Sequence, residues 1–294
     1  MDILVTGGRG QLGTALRAFR WPSGVRIHAP PRDALDLGNE GSVRATFAER
    51  RYDAVINAAA YTAVDKAESE VAAAYAVNAL GPALLADATR SAGMPLIHLS
   101  TDYVFDGRKP EPYVEDDPVR PLGVYGASKE AGERAVRAGN PRSVILRTAW
   151  VVSPYGRNFV KTMLRLGSEG QSLRVVDDQR GCPTSAADLA EAVARIAIAL
   201  ARNQDAPTGT YHFANEGDTT WCGLARHVFA TAAALGGPDA SVKAVTTAEF
   251  PTPARRPANS RLSTAKLTRD YGIVPRPWRE AVDEIVAALV AGPS

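Results

Sequence analysis

A doubly wound α/β fold, with a parallel sheet covered by helices on both faces, is predicted by two features of the first 147 residues. Short apolar runs alternate with longer stretches of helical period, and such alternation implies parallel strands joined by crossover helices. The runs are also continuous and β-branched, as strands buried on both faces require. "DILVTG" is the first strand, and "QLGTALRAF" follows as a helix with apolar side chains at 12, 16 and 19. "VRIHA" is the second strand. "SVRATFAERR" is a helix feeding "DAVINAAA", the third. An alanine-rich helix covers residues 68 to 91, and "MPLIHLSTD" is the fourth strand. A helix opening at "YGASK" then precedes the fifth strand, "SVILRTAW".

Beyond residue 147 the rhythm loosens. Pro, Gly and Asn punctuate "SPYGRN", "DDQRGCPT", "GTYHFANEGD" and "FPTPARRPANSR", with helices between them. Residues 1–147 are therefore expected to form the main domain, and 148–294 a smaller, discontinuous lobe for a substrate. One helix of that half, residues 185–203 around "SAADLAEAVARIAIAL", is expected to return to the main sheet.

Composition narrows the functional classes. The 34 basic and 32 acidic residues are interspersed and leave a net charge of +2, which gives no electrostatic case for nucleic acid. The most apolar stretch, "AVARIAIALA", is interrupted by Arg195, so no membrane span is expected. No leader pattern precedes "DILV". Cys182 and Cys222 lack metal-type spacing, and His28, His98, His212 and His227 are scattered, so no metal site is expected. The expectation is a cytoplasmic, disulfide-free protein.

"VTGGRGQLG" joins the first strand to the first helix. Gly8-x-Gly10-x-x-Gly13 satisfies the dinucleotide pattern, and Gly7-x-x-Gly10-x-x-Gly13 its short-chain-dehydrogenase variant. Glycines there let the turn tighten and let backbone N–H groups approach a pyrophosphate seated on the helix N-terminus. The strand-to-turn-to-helix context makes this a Rossmann-type site for NADPH or NADH. An NAD site would place a carboxylate at the end of the second strand. Here "HAPPRDALDL" puts Pro31 and Arg32 at that tip, so Arg32, with Arg9, is a candidate for a 2'-phosphate, although a surface arginine reads equally well. Asp36 and Leu37 come late enough to face the adenine. Ala58, Ala59 and Ala60 end the third strand, where small residues suit either cofactor approach or simple packing.

The catalytic pattern lies further along. "LSTDYVFDG" ends the fourth strand on the carboxyl edge, and places Thr101 and Asp102 toward a nicotinamide. Tyr125 and Lys129 stand four residues apart on the next helix, so their heads share one face. In this reading Tyr125 donates a proton to a ketone oxygen, Lys129 lowers the phenol's pKa, and Thr101 hydrogen-bonds the developing alkoxide.

With these residues in place the chain resembles the extended short-chain dehydrogenase/reductases, and within them the dTDP-4-dehydrorhamnose reductases. The resemblance runs nearly end to end, through "GxxGQLG", "NAAAYTAVDKAES", "STDYVFDG", "VYGASKEAGE", "LRTAWVV", "NFVKTMLRL", "DDQRGCPT" and "PTPARRPANSRL". It implies reduction of the 4-keto group of a dTDP-6-deoxy-L-hexulose by NAD(P)H. It also implies that Tyr125 is the acid/base with Lys129 as its helper, that Thr101 and Asp102 contact the sugar, and that Trp150 forms a substrate wall. Backbone around Gly10, Gln11 and Leu12, around Asp36 and Leu37, and around Ala60, Tyr61 and Thr62 would line the cofactor.

Arg255 or Arg256 would suit the substrate's diphosphate, arginine being matched to phosphate oxygens. The partner implied is a small dTDP-sugar, and the chain acts as a monomer or homodimer. Two departures from the pattern carry expectations. The missing acid after the second strand predicts that NADPH serves at least as well as NADH. Ala15 stands where some relatives have a glutamate that serves a metal-bridged dimer, which predicts activity without divalent metal. A nucleotide-sugar epimerase or dehydratase, and a non-catalytic regulatory subunit of methionine adenosyltransferase, are the rival readings. The single carboxylate of Thr101-Asp102-Tyr103 argues against the first, and intact Thr101, Tyr125 and Lys129 against the second.

Overall fold

The five strands read from the sequence form in the computed structural model, which describes residues 1–170 and 172–292. They are β1 (Asp2–Thr6), β2 (Arg26–His28), β3 (Ala54–Asn57), β4 (Leu96–Thr101) and β5 (Ser143–Thr148). The second half adds β6 (Val151–Val152), β7 (Leu173–Val176), β8 (Arg180–Gly181), β9 (Thr184–Ser185), β10 (Gly209–His212), β11 (Thr219–Thr220) and β12 (Val242–Val245). The main sheet has six strands in the order β10-β5-β4-β3-β1-β2, and every pairing in it is parallel. β10 is the strand the sequence reading does not foresee. It has four residues, sits in a turn-rich stretch and forms as an edge by pairing Gly209–His212 with Val144–Arg147.

The helices in chain order are α1 (Gln11–Ala18), α2 (Glu40–Glu49), α3 (Val64–Ala67), α4 (Val71–Tyr75), α5 (Gly81–Ser91), α6 (Val124–Gly139), α7 (Phe159–Ser168), α8 (Ala186–Arg202), α9 (Trp221–Ala234), α10 (Ala265–Tyr271) and α11 (Trp278–Val290). Two-residue periodicity divides the sheet's side chains between two layers. Ile3, Val5, Ile56, Ile97, Leu99 and Leu146 face α1 and α8 and meet Leu12, Leu16, Leu189, Val193 and Ile196. Leu4, Val55, Leu96 and Ile145 face the other way, onto Val43, Leu85 and Val136 of α2, α5 and α6. Helix α8 thus returns to the sheet, as its apolar face predicts.

A separate core fills the lobe, where Val160, Leu164, Leu224, Val228, Phe229, Val282 and Ile285 bring α7, α9 and α11 together.

The apolar helical stretch Val71–Ser91 has the length and composition of a membrane span. Here it covers the sheet instead. A π-turn at Ala76–Leu80 interrupts it and turns Asn78 inward. The Asn78 side chain accepts from Tyr61 N at 2.8 Å and donates to Tyr61 O at 3.1 Å and to Ser128 Oγ at 3.0 Å. One buried amide therefore fastens the loop after β3 to α6.

Candidate active site

The glycine turn is built for close approach. Gly7 has φ +71°, and a Cβ on it would lie 2.6 Å from Ala59 N. A Cβ on Gly13 would lie 2.2 Å from Gly7 O. Gly10 N donates to Gly7 O at 2.9 Å, and Gly10 caps α1 with no side-chain hydrogen bond. The first N–H groups of α1 are thus free of a side-chain competitor, which is the condition for anion binding at a helix N-terminus. Leu12 turns into the core. The Gln11 side chain ties the turn to the lobe, since its Oε1 accepts from Ser153 Oγ at 2.7 Å and Asn158 Nδ2 at 2.9 Å. On the facing side Ala58, Ala60 and Tyr61 are half-buried and Thr62 is exposed.

At the end of β2 the structure separates residues that the sequence grouped. Arg32 is exposed on the turn Pro31–Leu35, held by Ala34 N and Leu35 N donating to Pro31 O. It does not line the hollow of about 410 Å³ beside the glycine turn. That hollow is bounded by Gly8, Arg9, Arg17, Ile27, Ala29 and Pro31. Arg9 and Arg17 are both exposed and carry no hydrogen bond or ion pair among the described residues. Asp36 is half-buried and accepts from Gly38 N at 3.0 Å, while Leu37 is buried in the core. The cradle, the open helix N-terminus and two unpaired cations at the far end together fit a dinucleotide carrying a 2'-phosphate.

The catalytic candidates meet at the carboxyl edge. β4 ends at Thr101, a 3₁₀ turn covers Asp102–Val104, and α6 packs against that turn. Gly126 allows this contact, because a Cβ there would stand 2.1 Å from Tyr103 O. Tyr125 is consequently half-buried, with its ring edge-on to the Tyr103 ring at 5.5 Å. Thr101 Oγ1 donates to Asp102 Oδ1 at 2.9 Å. Lys129 is 2% exposed, and its Nζ donates to Leu99 O at 2.6 Å.

The electrostatics differ from the expectation that Lys129 lowers the pKa of Tyr125. Burial pushes the Tyr125 phenol up to about 12; the Thr101 hydroxyl works against this and the Asp102 carboxylate adds to it. The Lys129 ammonium is turned onto the Leu99 carbonyl, and burial brings its own pKa down to about 8 despite the nearby Glu133 carboxylate. Tyr125 is therefore protonated at neutral pH, the form a proton donor requires. Burial also raises Asp102 to about 6, against the hydrogen bond from Thr101.

Beneath this edge lies a polar layer that the sequence reading missed. Glu133, one turn beyond Lys129, is fully buried and accepts from Arg147 Nε at 2.9 Å and Nη2 at 2.7 Å. Thr6 Oγ1 donates to Asn57 Oδ1 at 2.7 Å, and Asn57 Nδ2 lies 3.0 Å from His98 Nδ1. Burial, then the Lys129 charge, keeps His98 neutral. The four-residue spacing of Tyr125, Lys129 and Glu133 is the signal that points to Glu133.

The lobe closes over the same edge. Arg256 pairs with Asp65, Nη2 to Oδ2 at 2.8 Å, so it fastens the lobe to α3, while Arg255 is exposed. Trp150 is half-buried just past β5, whose Thr148 lies in register with Thr101. Among the described residues no group of three His, Cys, Asp or Glu side chains could hold a metal.

A family model described as RmlD substrate binding domain matches residues 1–291. The chain is 46% identical, over 99% of its length and 98% of the relative's, to the dTDP-4-dehydrorhamnose reductase of Sinorhizobium fredii. The chain belongs to the dTDP-4-dehydrorhamnose reductase family. Among solved structures, a dTDP-4-dehydrorhamnose reductase from Clostridium acetobutylicum superposes with a TM-score of 0.91 at 40% identity, covering 98% of this chain and 99% of that one. The Bacillus anthracis family member, solved in complex with NADP, gives 0.90 at 37% identity, covering 97% of this chain and 98% of that one.

Proposed function

We propose that this chain catalyses the NAD(P)H-dependent reduction of the 4-keto group of dTDP-4-dehydro-L-rhamnose to dTDP-L-rhamnose. The observation that supports this most directly is the meeting of Thr101, Tyr125 and Lys129 at the sheet's carboxyl edge, next to an open glycine cradle. When bound, the nicotinamide supplies the hydride. The chain supplies the rest. Tyr125 Oη delivers a proton to the ketone oxygen, which becomes the new hydroxyl. The Thr101 hydroxyl hydrogen-bonds that oxygen as its charge grows. Lys129, whose Nζ donates to the Leu99 carbonyl, would hold the nicotinamide ribose rather than act on the phenol's charge.

In this reading the 2'-phosphate is assigned to Arg9 and Arg17, which border the hollow beside the glycine turn, and NADPH is favoured. Neither Arg255 nor Arg256 is assigned the diphosphate, since Arg256 is committed to Asp65. In this reading the chain works in the cytoplasm, as a monomer or homodimer, on a soluble nucleotide sugar bound for cell-surface polysaccharide. The test is NADPH oxidation with an enzymatically generated dTDP-4-keto-6-deoxy-L-hexose, with the product identified by NMR. A C4 alcohol formed with stoichiometric NADPH loss is the expected result. Epimerised or dehydrated sugar without net oxidation of NADPH would reject the reading.

A further inference from the structure

Trp150 is the only non-glycine residue with positive φ among the described residues, at +48°. A bulky side chain in that left-handed region is strained, and such strain persists only where surrounding structure enforces it. Three segments of the lobe converge on this residue. Trp150 O accepts from Thr184 N at 3.1 Å, at the β6–β9 pairing. The Trp150 indole lies flat on that of Trp221, with centroids 3.5 Å apart and planes 11° from parallel. Gly181 completes the seat, because a Cβ there would stand 2.3 Å from Trp150 Cε2.

Trp221 is itself immobilised. It begins α9, directly after the Thr220 cap, whose Oγ1 accepts from Gly223 N at 2.9 Å. The ring of Phe159 backs it at 4.7 Å. The antiparallel pairing of β11 with β8 sets Thr219 opposite Gly181. One short ladder therefore carries both the stacking partner and the gap that the Trp150 ring occupies.

We propose that Trp221 and Gly181 are positioning residues that preset the Trp150 indole as a rigid wall of the sugar pocket. This rests on the proposed reductase function and on the expectation, drawn from the family resemblance, that Trp150 forms a wall against the dTDP-sugar. A side chain held in one orientation before binding has less freedom to lose when the sugar arrives, so the stack acts on substrate affinity rather than on proton or hydride transfer. The position of Trp150 supports this: it leaves the sheet two residues after Thr148, the register partner of Thr101, and keeps part of its surface exposed.

The test uses the full-length enzyme and the variants Trp221→Leu, Trp221→Phe and Gly181→Ala. Stacked indoles give an exciton couplet in far-ultraviolet circular dichroism, and wild type is expected to show it. Trp221→Leu is expected to lose the couplet, to keep kcat and the KM for NADPH within about twofold, and to raise the KM for the dTDP-4-keto sugar roughly three- to tenfold. Trp221→Phe, which retains a flat ring, restores the sugar KM without restoring the couplet. Gly181→Ala displaces the ring and raises the sugar KM with Trp221 intact. An unchanged sugar KM in Trp221→Leu, or equal losses toward sugar and NADPH, overturns the positioning role while leaving the reductase reading standing. A wild-type enzyme that reduces no dTDP-4-keto sugar overturns both.

Discussion

Replacing Arg9 and Arg17 with alanine, singly and together, is expected to separate NADPH from NADH. Both side chains border the hollow at the end of β2, both are unpaired, and no carboxylate lines that hollow. A hydrogen bond to a charged group is worth about 1.5–3 kcal/mol when sheltered. These arginines are exposed, and exposed ion pairs retain only about 0–1 kcal/mol. Taking about 1 kcal/mol for each gives a roughly fivefold rise in the KM for NADPH per single variant and about thirtyfold for the double. NADH lacks the phosphate, so its KM should stay within about twofold in all three.

The assay is initial-rate NADPH and NADH oxidation at two ionic strengths. Added salt should weaken NADPH alone, since it screens contacts between exposed charges. Arg32→Ala is the internal control and is expected to change neither constant, because Arg32 is exposed and does not line the hollow. Equal shifts for both cofactors, or an effect confined to Arg32→Ala, would refute the assignment.

Four further outcomes are expected. Tyr125→Phe should retain NADPH binding, followed by fluorescence, and lose about 100- to 10,000-fold in kcat, the usual worth of a positioned acid. Glu133→Gln should destabilise the fold by about 3–5 kcal/mol in urea unfolding, because it strands a buried arginine; Arg147→Met should cost less, since Glu133 keeps Arg137 at 3.2 Å. Asp102→Asn should unfold at higher urea than wild type at pH 7.5, by about 1–3 kcal/mol, while losing activity. The folded-state pKa of Asp102, raised by burial to about 6 from the usual 3.8, makes its contribution to stability most favourable in acid and diminishing as pH rises through about 6, so this gap should close near pH 4. Activity should survive dialysis against EDTA, and a loss restored by Mg²⁺ would contradict the expectation drawn from Ala15, a core residue of α1.

How far the molecule can be read from its chain depends on how local each determinant is. β1 to β5 and the helices between them were legible because their periodicity is internal to each segment. β10 was not, because four residues beginning at a glycine become a strand only when β5 offers an edge. That Thr101, Tyr125 and Lys129 come together at the sheet's carboxyl edge was legible for the same reason as the strands: a strand end and an i,i+4 pair are short patterns whose context lies beside them. The pKa order of the pair was not legible, since it turns on whether Nζ faces the phenol or the Leu99 carbonyl, a choice made by the packing of α6 on β4.

The same division runs through the charged and aromatic groups. Arg32 is suited to a phosphate by its place in the chain, while in the structure it is exposed and does not line the hollow beside the glycine turn. Arg17 goes unnoticed in the sequence: it stands in the last turn of α1, a favourable place for a cation, and only the fold brings it to the hollow. Arg255 and Arg256 are alternative candidates for a diphosphate by sequence, and only the fold shows that Asp65, far earlier in the chain, pairs with Arg256. Glu133 could have been found by extending the Tyr125–Lys129 spacing one turn further. Trp221 could not, because nothing near it in the chain announces Trp150. In each case the chemistry of the side chain was readable from the sequence, and its availability was set by a partner supplied through the fold.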